Sequence, residues 1–107
     1  MNFELCYVIR AYRMAIGITQ ADLASSVDRS GCFISLYERG KADGSGLETK
    51  MRRFLLKVAK QKKLDPEFYE AKAALILCDI YRKLDGTVTS DVLAYAKEKC
   101  RVFAEKE

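Results

Sequence analysis

Apolar residues recur along this chain at spacings of three and four, as amphipathic helices require, and no stretch alternates cleanly enough to make a strand. Leu5, Val8, Ile9 and Tyr12 mark the buried face of a first helix over residues 3–15, which Gly17 ends as a left-handed cap. Thr19 is an N-cap with Asp22 three residues on. It opens a second helix over 20–26 that buries Leu23 and Ala24. After the turn Val27-Asp28-Arg29, Ser30 caps a third helix over 31–38, with Ile34 and Tyr37 inward and Gly40 as its stop. Ser45 and Glu48 match a capping box for a fourth helix over 47–63, which buries Leu47, Met51, Phe54, Leu55 and Val58. Asp65-Pro66 starts a fifth helix running to Leu84, with Phe68, Ala71, Leu75, Cys78, Leu77 and Tyr81 in a wide apolar band. Asp85-Gly86 is a turn. Ser90 caps a last helix over 91–104, with Val92, Leu93, Ala96, Cys100 and Phe103 on one side and a charged tail expected to fray. The pattern predicts an all-α fold.

Charge divides the chain. Residues 1–63 hold twelve basic and six acidic side chains, net +6, while residues 64–107 hold seven and nine, net −2. That asymmetry fits a polyanion-binding part beside a part with another task, or a merely solvated basic face. Lys50, Arg53, Lys57 and Lys60 form one stripe on the fourth helix, either an extension of a phosphate-contacting surface or plain solubilising charge.

The four cysteines, Cys6, Cys32, Cys78 and Cys100, form no CxxC pair, and there is no histidine, so a metal site is not expected and no cofactor is implied. Cys78 and Cys100 fall together in the last helical hairpin, as buried structural thiols or a redox pair. The start Met1-Asn2-Phe3-Glu4 lacks the basic opening and apolar run of a signal peptide, and no stretch is apolar for long enough to span a membrane. A cytoplasmic protein with reduced thiols is expected. An enzyme is not, since no phosphate loop, no histidine and no base partner for a cysteine is present.

Residues 18–24, Ile-Thr-Gln-Ala-Asp-Leu-Ala, followed by residues 34–41, Ile-Ser-Leu-Tyr-Glu-Arg-Gly-Lys, resemble the Cro/cI (XRE) helix-turn-helix family, with Arg10, Arg13 and Gly17 fitting its first helix. The resemblance covers about residues 3–63. It implies a lambda-repressor-like five-helix DNA-binding domain over 1–63, a C-terminal helical extension over 64–107 and a homodimer on a two-fold operator. By alignment the DNA-binding residues are Thr19, Gln20, Arg29, Ser30, Gly31, Cys32, Phe33, Ser35, Leu36, Arg39 and Lys41. Gln20, Arg39 and Lys41 are assigned to phosphates. Glu38 is assigned a structural pairing with Arg10 or Arg13.

The chain departs from the family at two places. Asp28 stands where the turn holds glycine, a substitution aspartate tolerates. The reading positions of the third helix also lack Arg, Asn or Gln, the side chains that make bidentate base contacts. Three readings follow: recognition of thymine methyls and DNA shape, DNA binding of low specificity, or a protein-binding surface built on Cys32, Phe33 and Leu36. Phe33 itself fits core, groove or partner. In the extension, Phe68, Leu75, Cys78, Tyr81, Val92, Ala96 and Phe103 are expected to form a dimer interface, or else to pack back onto the first domain. The expected function is a dimeric double-stranded-DNA-binding repressor of phage or mobile-element type. The alternative is an interaction module that binds a protein through the third or the C-terminal helices, such as an antirepressor, an antitoxin or a phage inhibitor of host defence.

Overall fold

The computed structural model describes residues 4–85 and 89–105. They form six α-helices and, among the described residues, no strand: α1 (Leu5–Ile16), α2 (Gln20–Ser26), α3 (Gly31–Glu38), α4 (Glu48–Gln61), α5 (Pro66–Asp85) and α6 (Ser90–Glu105). The expected helix start at Phe3, the Gly86 side of the expected turn and the last residues of the charged tail lie outside the described residues.

Local signals set most boundaries. Gly17 closes α1 at φ 85°, its N–H donating to the Arg13 carbonyl. The Lys62 ammonium donates to the Ile16 and Gly17 carbonyls at 3.2 and 3.5 Å, bringing positive charge to that C-terminus. The Thr19 and Ser30 hydroxyls accept from the Asp22 and Phe33 N–H groups, both at 3.1 Å, each cap contributing about 1 kcal/mol. The turn between α2 and α3 needs one left-handed residue, and Asp28 supplies it at φ 56°.

The fourth helix corrects the sequence reading. The Ser45–Glu48 capping box does not form. Ser45 instead donates through its N–H and hydroxyl to Asp43 Oδ1, at 2.9 and 2.6 Å. Leu47 occupies the cap position without a side-chain bond, and Glu48 accepts from the Tyr37 hydroxyl. The loop runs so close to the Tyr37 ring that a Cβ at Gly44 would collide with it. That approach brings Glu48 to Tyr37 rather than to the cap. α4 then ends at Gln61, and Lys63 turns the chain at φ 57°.

α1 is the hub. It packs against α3, α4, α5 and α6, with Val8, Ile9 and Tyr12 fully buried among Leu23, Ile34, Met51, Leu55 and Leu77. α6 is fastened at two polar points. The Tyr12 hydroxyl donates to the Cys100 carbonyl at 2.7 Å, while its ring lies 4.6 Å from that of Phe103 and 6.0 Å from that of Tyr69. The buried Arg52 of α4 donates to the Phe103 carbonyl at 2.6 Å and the Ala104 carbonyl at 3.3 Å, with its guanidinium 5.9 Å from the Phe103 ring. Carbonyls in the last described turn of α6 are thus met by a cation.

The residues expected to meet a second copy therefore divide. Cys78, Val92, Ala96 and Phe103 are buried in this chain's own core, and Tyr81 is half-buried. Phe68 and Leu75 stay exposed, at 66% and 59%. The reason is helical phase: Tyr69, Ala73, Leu77 and Ile80 set the inward face of α5, which turns Phe68 and Leu75 away from it. Among the described residues no helix is long and apolar enough to cross a membrane.

Replacing Arg52 by Met removes the donor from the buried Phe103 carbonyl and the partly buried Ala104 carbonyl and should cost about 2 kcal/mol in urea unfolding. Tyr12→Phe should cost about 1 kcal/mol. In both variants circular dichroism and tyrosine fluorescence should trace one coincident transition, because α6 is part of the same core as α1.

Candidate nucleic-acid interface

α3 is held from one side only. It packs against α2 and α1, while α4 packs against α1 and α2. Ile34, Tyr37 and Glu38 point inward. Cys32, Ser35, Leu36 and Arg39, spaced three, one and three apart, form the opposite face. Cys32 and Arg39 are exposed, Ser35 and Leu36 are half-buried, and Gly31 at the helix start has open space above it.

What fixes this helix is a buried charge. The Glu38 carboxylate is 1% exposed and receives Arg13 in bidentate fashion, Nε to Oε2 at 2.6 Å and Nη2 to Oε1 at 3.0 Å. Arg13 Nη1 donates to the Ile18 carbonyl at 2.8 Å, and Gln20 Nε2 donates to Glu38 Oε1 at 3.0 Å. The parallel pair of charge-assisted bonds fixes distance and orientation together. One acid thereby ties the end of α3 to the last turn of α1 and the start of α2. Of the two arginines open to Glu38 in the sequence, Arg13 is the partner. Gln20, assigned to phosphate contact, has one amide N–H committed to this carboxylate.

The remaining candidates fall as follows. The Thr19 and Ser30 hydroxyls are engaged as caps. Arg29 is exposed and donates to the Asp28 carbonyl at 3.1 Å. Arg39 donates to the Ser35 carbonyl at 3.2 Å, which lays its guanidinium along α3. Lys41 is exposed. Phe33 is half-buried and stacks on Tyr37, ring centroids 6.4 Å apart and planes 14° from parallel, so it packs against the core at the margin of the outward face. Its helical position, between Ile34's side and Leu36's side, left this open in the sequence.

The basic stripe of α4 is fully displayed. Lys50, Arg53, Lys57 and Lys60 are exposed and make no ion pair among the described residues. Several exposed cations of α5 and α6 differ, because acids one turn away neutralise them: Arg82 and Lys83 share Asp79 at 3.2 and 3.6 Å, and Arg101 lies between Glu98 and Glu105. The positive potential expected from the sequence therefore concentrates on the outer side of α4 and around the end of α3.

All four cysteines are free thiols, and Cys32 alone is exposed. Burial, reinforced by Glu4, pushes the Cys6 thiol up to about 11. Burial pushes Cys100 up to about 12 and raises Cys78 as well. Among the described residues no group of His, Cys, Asp and Glu is arranged to hold a metal.

Glu38→Ala should cost about 3 kcal/mol, since it strands Arg13 in a half-buried site, and Gln20→Ala only about 1 kcal/mol. A double-mutant cycle on Arg13 and Glu38 by urea unfolding measures the coupling, and a value near zero would show the pair to be incidental to the position of α3. Set against protein-family models, curated proteins and solved structures, the chain finds no match in any of the three.

Proposed function

We propose that this chain is a duplex-DNA-binding regulator of the Cro/cI helix-turn-helix type, with a lambda-repressor-like arrangement of α1–α5 that presents α3 to the major groove. The observation that carries this reading is the outward face of α3. Cys32, Ser35, Leu36 and Arg39 lie on the side of α3 opposite its buried residues, exposed or half-buried, while Glu38 locks the inward side. A helix presented this way fits the major groove, and the cations Arg29, Arg39 and Lys41 at its two ends suit the flanking phosphates. With no long amide or guanidinium in the middle of that face, recognition runs through thymine methyls against Leu36 and Cys32 and through DNA shape, so discrimination between sequences is modest. A repressor role, and a homodimer on a two-fold site, belong to the same proposal. Any self-association uses the exposed Phe68 and Leu75 of α5 rather than the buried residues of α6.

Fluorescence anisotropy on random-sequence duplex should give saturable binding at low salt that weakens steeply as salt rises. Neutralising Lys50, Arg53, Lys57 and Lys60 to Gln should flatten the slope of log affinity against log salt by about 3–4 if all four meet phosphates, and leave it unchanged if the stripe is only a solvated face. No binding to any duplex at low salt ends the proposal.

The exposed Cys32 gives an independent check. Iodoacetamide should modify it well before the three buried thiols, saturating duplex should protect it, and the modified protein should bind duplex at least about tenfold more weakly, about 1.4 kcal/mol. Equal labelling with and without bound duplex would place DNA elsewhere on the protein. A second reading, a protein-binding module on this scaffold, draws on the half-buried Leu36 in the outward face. It predicts a protein complex lost on Leu36→Ala, with Cys32 insensitive to duplex.

A further inference from the structure

Beside the end of α3, and sharing Arg39 with its outward face, α1 and α5 enclose a cleft of about 290 Å³. Its walls are of two kinds. Met14, Ile76, Ile80 and Leu84 give an apolar side, and Met14 and Leu84 remain 43% and 58% exposed after folding. Arg10, Arg39, Lys41 and Lys83 line the same cleft against a single acid, Asp79. Asp79 is already shared by Arg82 and Lys83, at 3.2 and 3.6 Å. Arg10 and Lys41 have no hydrogen bond or ion pair among the described residues, and Arg39 bonds only a backbone carbonyl. The Tyr7 hydroxyl faces Gly40 at the same place, where a Cβ would stand 3.0 Å from it, and it too makes no hydrogen bond among the described residues. Burial raises the Tyr7 phenol above its ordinary value, so it is a donor at neutral pH. The nearby Glu4 carboxylate lies outside the lining and accepts from the Cys6 thiol at 3.6 Å.

Cations without partners, a free phenol donor and exposed apolar carbon converging on one concavity are the makings of a ligand site rather than of a solvated rim. We propose that this cleft binds a small organic anion, a carboxylate, sulfonate or phosphate carried on an apolar body, with the anionic group held by Arg10, Lys41 and Tyr7 and the body laid on Ile76, Ile80 and Leu84. A duplex fits poorly there, because the apolar wall offers nothing to a phosphate backbone. The site has a consequence that rests on the DNA-binding reading. Arg39 and Lys41 belong both to the cleft and to the cations proposed to meet phosphates, so an occupied cleft withdraws them and weakens DNA binding. The two ligands are then linked reciprocally through shared side chains.

The test uses the full chain and two fluorescent probes of similar shape, anilinonaphthalene sulfonate and its uncharged analogue phenylnaphthylamine. The sulfonate should bind at one site. Arg10→Gln should weaken it at least about tenfold, about 1.4 kcal/mol, and leave phenylnaphthylamine unchanged. Leu84→Gln, at an exposed position that folding tolerates, should weaken both probes. Thermal melts matching the wild type exclude unfolding as the cause. Wild-type sulfonate affinity in Arg10→Gln, or in Leu84→Gln, overturns the site. Saturating sulfonate should also lower duplex affinity in the wild type and do so far less in Arg10→Gln, and duplex affinity indifferent to the sulfonate overturns the linkage. The probe arm contains no DNA, so a chain that binds no duplex still passes or fails it on its own.

Discussion

A carboxylate shut away from water governs the architecture around α3. Glu38 cannot stay charged inside the protein without donors for both of its oxygens, and isolated burial of such a group is among the costliest events in folding. Arg13 and Gln20 supply those donors from two different helices, and Arg13 spends its third nitrogen on the Ile18 carbonyl at the bend between them. The geometry is correspondingly unforgiving. A rotation or slide of α3 that a purely apolar contact would absorb here separates a charge from its partner. A short helix packed on one side only thereby acquires a defined angle, which a surface that must fit a rigid partner requires.

The same economy recurs at the far end of the chain. Tyr12 of α1 and Arg52 of α4 each reach a backbone carbonyl of α6 across a long stretch of sequence, and both contacts are buried. Polar groups thus fix the position of elements whose apolar contacts alone would permit several registers. On the exterior the logic inverts. α5 and α6 neutralise their arginines with acids one turn away, while α4 and the end of α3 leave theirs uncompensated.

Much of this was legible in the residues. Thr19, Ser30 and Gly17 announced the boundaries of α1, α2 and α3, because caps act locally and need only their own helix. Asp28 is legible as a tolerated left-handed turn for the same reason. The failures lie where a distant group outbids a local one. Ser45 and Glu48 have the spacing of a capping box, yet the hydroxyl of Tyr37, eight residues before Ser45, takes the glutamate. Phe68 and Leu75 share a band with Cys78, but the phase of α5 is decided by α1, which no count along α5 reveals. Nothing along α4 singles out Arg52, and only the arrival of α6 makes it a buried cap. At α3, the spacing from Arg13 to Glu38 and from Gln20 to Glu38 carries no sequence signal stronger than the choice between Arg10 and Arg13.

The bond from the Tyr12 hydroxyl to the Cys100 carbonyl spans 88 positions of sequence. A ribosome delivers Cys100 only after the whole of that interval, and until then the hub helix waits with one flank bare, its phenol and its apolar side without the surface they will meet. The emerging polypeptide cannot complete its core in stages as a chain of local contacts would, and contacts of long separation form slowly. Chaperones that shield apolar segments would meet α1 in this interval, and a message truncated within α6 would yield a product whose central helix never finds cover.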